Sequence, residues 1–346
     1  MRKSILLVAA LLLIMGTSLF AGGRAQRGQT LSISHWGFNM DLLEQNLIIP
    51  FEERYGVRVI METGNNADRL TRLTARRNNP NVDVVFFASN FAFQAMNDGL
   101  LVPYDPSKIP NLSRIIPAAV DPLGGRYGIG YTISHLGLFQ RTDRTAPMTS
   151  WRDLFRPELN NQVSIPGINT TFGPGVIHML GKAFGSGFDD TETGWARLAE
   201  LAPRLKTAYN NSAELNSLIT QEEVYAAPFT SFAWGQIEAT GHPVASVIPE
   251  EGLVGNYNIV SIVSGSPNVE LAHAFINFLL SHEVQYAQAM SLVDSPVNID
   301  VSLPPHIGSR LTYGDEIINN LFFPDEAEVN SNRANWIARW NTIFAR

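Results

Sequence analysis

The chain has 346 residues, 45% hydrophobic and 16% charged, and no cysteine. Its length exceeds one ordinary hydrophobic core, so two lobes are expected, and the composition excludes a disordered or coiled-coil chain. With 25 Lys and Arg against 32 Asp and Glu, the net charge of −7 argues against nucleic acid and anionic membrane as partners. The missing cysteine excludes disulfides, thiolate metal sites, a cysteine nucleophile and a lipid-modified cysteine.

In chain order, Arg2 and Lys3 precede an unbroken apolar stretch from Ile5 to Met15, followed by small residues in "SLFAGG". This pattern predicts a secretory signal over residues 1–21 with cleavage after Ala21, and the apolar run is short for a membrane span. Export without disulfides points to a bacterial periplasm.

Alternating strands and helices follow. "LSISHW" reads as a strand, Asp41 to Arg54 as a helix with Leu42, Leu43, Leu47 and Phe51 on one face, and "GVRVIM" as the next strand. Ala67 to Arg77 reads as a helix and "VDVVFFAS" as a strand buried on both faces. Thr149 or Ser150 would cap "TSWRDLF". "QVSIPG", a helix from Gly175, a long helix from Thr191 to Lys206, "EVYAAPF" and "PVASVIP" repeat the pattern. Helices over Glu270 to Leu280, Glu283 to Met290 and Asn332 to Phe344 close the chain. The expected fold is α/β in two lobes.

In open α/β sheets ligands sit beyond the carboxyl ends of the strands. Those ends carry "HWGFN", "TGNN", "ASNFAF", "PGINTTFG", "PFTSF" and "GNYN", all rich in Asn, Ser, Thr, Gly and aromatics. A cleft lined this way suits a small polar molecule with some apolar surface. The expected contacts in the first region are Trp36, Asn39, Asn65, Ser89, Asn90 and Phe91. The second region would add Asn169, Thr170, Thr171, Phe172, Phe229 and Thr230, and the last loop Tyr257 and Asn258. Pro174 near a first helical turn suits "NTTFG" to a helix N-terminus, which favours an acid over an amine.

The blocks "LLEQNLIIPFEERYGVRVI", "VDVVFFASNFAF", "DGLLVPYDPSKIPNLSRI", "TSWRDLFRPELNNQVSI" and "PEEGLVGNYNIVSIVSGSPNVELAHAFINFLLSHEV" occur in an order that resembles the spermidine/putrescine-binding proteins of bacterial ABC importers. The likeness runs from about residue 31 to the C-terminus. It implies a type II periplasmic-binding-protein fold that closes on a solute by hinge motion. The lobes would be residues 30–132 plus 259–300 and 136–256 plus 302–346, with crossovers near Tyr131 to His135, Tyr257 to Val260 and Asp300. The implied partners are a small-molecule solute and a membrane permease with its ATPase; the chain would act as a monomer and need no cofactor or metal.

The resemblance departs from the family at the site. Trp36 and Ser89 keep the family's aromatic and serine, but "NTTFG" stands where an acidic cluster is expected. Asn258 stands for an aspartate, Asn256 and Phe229 for tryptophans. Because no carboxylate is evident to face an amine, an anionic or zwitterionic solute is expected beside the family's polyamine. Enzyme readings lack support: the seven histidines are scattered, and no H-E-x-x-H, G-x-S-x-G or phosphate-binding loop occurs. A secreted hydrolase or a sensor subunit on the same scaffold is the other class to weigh.

Overall fold

The computed structural model describes residues 28–37 and 39–345, so the expected leader and its cleavage point lie outside the described residues. β1 (Thr30–His35) buries Leu31 and Ile33. The helix expected after it is built from α1 (Met40–Leu43), a π turn (Glu44–Ile48) and α2 (Ile49–Tyr55). Pro50 has no N–H for the carbonyl four residues back, which suits a widened turn there. Gly56, at φ 66, ends the run in the left-handed region. β2 (Arg58–Thr63), α3 (Asn66–Ala75), β3 (Val84–Ala88) and α4 (Ser89–Asn97) follow, and all five residues of β3 are buried.

After β4 (Leu101–Val102) and α5 (Pro117–Val120) comes β5 (Ile129–Arg141), buried along its whole length. Ser150 caps the turn of "TSWRDLF" in a reciprocal pair with Asp153. β6 (Val163–Pro166), α6 (Gly173–Phe184) and α7 (Thr191–Leu201) then build the second region. The helix expected to reach Lys206 stops at Leu201, with a 3₁₀ turn carrying Pro203; Leu205–Tyr209 is the strand β7. Next are α8 (Ser212–Thr220), β8 (Ala226–Thr230), α9 (Trp234–Glu238), β9 (Val244–Val247) and β10 (Leu253–Val263).

α10 (Val269–Leu279), α11 (His282–Met290), α12 (Pro305–Gly308), α13 (Asp315–Ile318) and β11 (Leu321–Phe322) lead to α14 (Glu326–Phe344). α14 starts six residues before the expected Asn332, because Asp325 caps it by accepting from the N–H groups of Ala327 and Glu328.

One sheet runs through the described residues in the order β2-β1-β3-β10-β5-β8-β6-β7, with β4 and β11 on β10 and β9 on β5. β2, β1 and β3 are parallel, as are β8, β6 and β7; the pairs β3–β10, β10–β5 and β5–β8 are antiparallel. The long strands β5 and β10 serve two cores. Ile129, Tyr131 and Ile133 pack with Tyr257, Ile259 and Val260 around β1 and β3, whereas Leu136, Leu138 and Val254 pack with Trp151, Val176, Trp195 and Trp336. The change-over falls on Ser134 and His135 of β5 and on Gly255 and Asn256 of β10, where the apolar pattern breaks. The architecture is two-lobed α/β, with the crossing strands between the lobes.

Candidate ligand-binding cleft

Residues opposite each other on antiparallel strands point to the same face. Thr132 pairs with Asn258 and Ser134 with Asn256, so two rows of polar side chains cross the change-over on one face. On the outer edge of β5, the bridge Thr132↔Pro296 sets Asp294 level with Ser134. On the outer edge of β10, Asn258 pairs with Ala88, the last residue of β3, and α4 begins at once with Ser89. The same edge carries β11 against Leu253 and Val254, and the chain turns through Pro324 into α14. The cleft floor thus runs from Asp294 through Ser134, Thr132, Asn256 and Asn258 to Ser89 and Glu326.

The Glu326 end is closely packed. The Ser89 hydroxyl is 2.9 Å from Asn256 Oδ1 and also bonds the Glu326 carboxyl. One hydroxyl proton cannot serve two acceptors, so with the Asn256 oxygen facing Ser89 the Glu326 carboxyl carries the second proton. Burial pushes Glu326 up to about 7, against the lowering effect of the Ser89 bond and of Arg333. Asn256 in turn reaches Asn258 Oδ1 at 3.4 Å. A recess of about 20 Å³ lies among Asn90, Thr171, Phe172, Pro174, Asn256 and Glu326, room for roughly one water. Arg333, two turns along α14 from Glu326, stands 5.7 Å from the Phe91 ring, so α14 closes over α4.

At the other end, burial raises the Asp294 carboxyl to about 7, while the neighbouring Thr132 hydroxyl donates to the Ser295 carbonyl at 2.8 Å. Beside it His135 is buried and held down to about 4, its Nδ1 2.9 Å from Thr312 Oγ1. Below β1 and β3, Arg69 is 1% exposed and has no carboxylate partner among the described residues. Its guanidinium serves the carbonyls of Gly64, Ser34 and Phe86 and the Asn66 side chain, tying the ends of the strand layer together.

The expected contacts divide. Ser89, Asn90, Thr171, Phe172 and Asn258 come together in the cleft. Ser89 and Asn90 form the first turn of α4, with Ala88 at its cap position. Phe91 lies under Arg333. Thr170 turns inward, donating to the Gly167 carbonyl and accepting from the Gly173 N–H, while Asn169 is exposed beside it. Thr230 sits 3.3 Å from the Ser212 hydroxyl, and Asn39 starts α1 at φ 49 with no side-chain cap.

Three expectations need correction, and that for Trp36 is narrowed. Phe229 is 1% exposed and packs with Tyr209, Leu215 and Trp234, so it is core. Tyr257 points away from the polar rows and stacks on Phe323 at 4.7 Å. Asn65 spends its amide on capping α3 at Asp68. One face of the Trp36 ring is covered by the Arg69 guanidinium, 4.7 Å away, which leaves less ring to stack on solute.

The expected lack of carboxylates is also overturned, since Asp294 and Glu326 stand at the two ends of the floor. Thr132, Ser134, Asn256, Asp294 and Glu326 were not among the expected contacts. The period-2 polar pattern in "YTISH" and "GNYN" marks three of them once both segments are read as strands.

A two-lobed α/β protein with a polar cleft at crossing strands has the form of a solute-binding protein. The chain belongs to the bacterial extracellular solute-binding protein family, whose pattern matches residues 46–309. It is 24% identical over 320 residues to the putrescine-binding periplasmic protein PotF of Escherichia coli, covering 83% of this chain and 85% of that one. It is 26% identical over 312 residues to a periplasmic protein of Salmonella typhimurium assigned to 2-aminoethylphosphonate, covering 85% of each. The crystal structure of an ABC transporter from Clostridium perfringens superposes with a TM-score of 0.82 at 36% identity, covering 91% of this chain and 99% of that one. The relatives are substrate-binding receptors of ABC transporters, and this chain is a receptor of that kind and no enzyme. Among the described residues no helix is long and apolar enough to cross a membrane.

Proposed function

We propose that the chain is a periplasmic receptor, freed of residues 1–21, that captures a small solute with an ammonium group at one end and an acid at the other and delivers it to a permease. Residues 30–132 plus 259–300 form one lobe and 136–256 plus 302–346 the other, closing about β5, β10 and the segment near Asp300. The observation that carries the solute class is Asp294. Its carboxyl is half-buried at the hinge beside Thr132, where an ammonium would draw it back to the ionised form and form an ion pair with it. The acid end falls to Thr171 and the first turn of α6, which face the raised Glu326 carboxyl and where backbone N–H groups and the helix dipole favour negative charge.

A polyamine is the second reading. PotF is named for putrescine, and the two carboxyls at opposite ends of the floor are a specific observation in its favour. Against it stand the buried cation Arg69 and the helix N-termini, which oppose a second ammonium. Titration calorimetry with 4-aminobutanoate, 2-aminoethylphosphonate, putrescine and spermidine separates the readings. The amino acids are expected to bind and the diamine to bind weakly; tighter binding of putrescine or spermidine would overturn the zwitterion.

A further inference from the structure

Three helices begin at one point in the cleft. α4 starts at Ser89, α6 at Gly173 and α14 at Glu326, and residues from all three first turns line the 20 Å³ recess. α4 and α6, with 9 and 12 residues, are long enough for each N-terminus to carry a partial positive charge, whereas that of α14 is already met by the Asp325 carboxylate. α6 is pressed against β10: a Cβ on Gly175 would lie 2.7 Å from Val254, so no larger residue fits and the helix end reaches the floor.

A second observation points to a ligand there. Asn90 is 5% exposed and lines this recess and the adjoining one beside Arg333. Its Oδ1 accepts from the Phe91 N–H at 3.0 Å, but its Nδ2 donates to nothing among the described residues. Thr171, on the same wall, has a hydroxyl with no hydrogen-bond partner among the described residues. Both donors open onto the recess, so an acceptor placed in it meets them. The acceptor group that does lie in the recess is the Glu326 carboxyl, and it comes from the protein itself.

We propose that this recess is the subsite for the solute's acid, a carboxylate, phosphonate or phosphate, and that the Glu326 carboxyl is its built-in occupant, displaced when solute enters. Glu326 bonds to Ser89 across the cleft and so holds the lobes together in the absence of solute. An entering acid needs the Ser89 hydroxyl to turn from Asn256 and donate to it, and it gains the Asn90 amide and the Thr171 hydroxyl, which Glu326 does not use. Arg333, bridged to no carboxylate among the described residues, stands at the mouth of the adjoining recess and favours the exchange for a more highly charged acid. The inference rests on the receptor reading and deepens it by naming where the acid binds.

Inorganic phosphate is the probe, because it has no ammonium and tests the recess alone. Calorimetry on the wild-type chain, Glu326→Ala and Glu326→Ala with Asn90→Ala is expected to show a gain of at least tenfold in phosphate affinity for the first variant and its loss in the second. Should the alanine variant fold poorly, Glu326→Ser clears the same recess and carries the test. Equal phosphate affinity in the wild type and in both the single and the double variant, or none in any, would overturn the proposal. A gain on removing Glu326 while no amino acid binds the wild type would uphold the recess and refute only the zwitterionic solute. Amino-acid binding without that gain would do the reverse.

Discussion

Ser89 and Glu326 lie 237 residues apart and are joined by a hydrogen bond across the cleft, one at the start of α4 and the other at the start of α14. Ser89 follows a strand of the first lobe, while α14 packs its Trp336 and Trp340 into the second. The contact is therefore a clasp between lobes, made where both helices offer their N-termini, and the rest of the cleft is organised from it.

Asp294 is the group expected to hold the ammonium. Asp294→Asn should weaken binding of 4-aminobutanoate by about 2 kcal/mol or more, roughly thirtyfold, since removing one partner strands a buried charge. Calorimetry at pH 7 measures it, and unchanged affinity would place the amine elsewhere.

Thr171 lies on the acid side. Thr171→Glu adds a carboxylate to a recess that favours anions, so solute binding should be lost while the melting temperature of the empty protein holds. Retained binding would remove this rim from the site.

Arg69 is a structural group and should behave as one. Arg69→Met keeps much of the volume but leaves the carbonyls of Ser34, Gly64 and Phe86 without donors and uncovers Trp36. A loss of about 3 kcal/mol or more in urea unfolding is expected. A loss in binding alone, with stability intact, would instead make Arg69 a solute contact.

The pH dependence has two opposed parts. Burial raises Asp294 and Glu326 to about 7, so their contribution to stability is full below the ordinary carboxylate pKa and is lost as pH rises toward 7. Burial lowers His35 to about 3, with Arg69 adding to the effect, and His135 to about 4; their contribution is full above pH 6.5 and is lost as pH falls through those values. Each proton counts for about 1.4 kcal/mol per pH unit, and the parts offset one another between. Asp294→Asn with Glu326→Gln should therefore lose ground to the wild type most at pH 4.5 and least at pH 7 in thermal melts. A difference that does not change with pH would contradict the buried, protonated carboxyls.

Much of the fold was legible because it is local. The apolar run "VVFFA", the caps at Ser150 and the order of strands and helices follow from periodicity and hydrogen-bonding needs within a few residues. The cleft was legible in part: Ser89, Asn90 and Thr171 sit where strand ends meet helix starts. Glu326 was hidden because "PDEAEV" reads only as a capped helix start, and nothing near it in the chain shows that Ser89 lies opposite. Asp294 was hidden for the same reason, since its place depends on a bridge to β5. Phe229 misled because an aromatic at a strand end looks the same whether it faces the cleft or the core. Tyr257 misled by one step of strand alternation, its neighbours Asn256 and Asn258 taking the cleft face.

The most direct test of the central claim is to purify the chain gently from its periplasmic fraction and weigh what it carries by native mass spectrometry. The account predicts a small molecule with both an amino group and an acid, lost on Asp294→Asn. A polyamine, or a solute with no amino group, would contradict it.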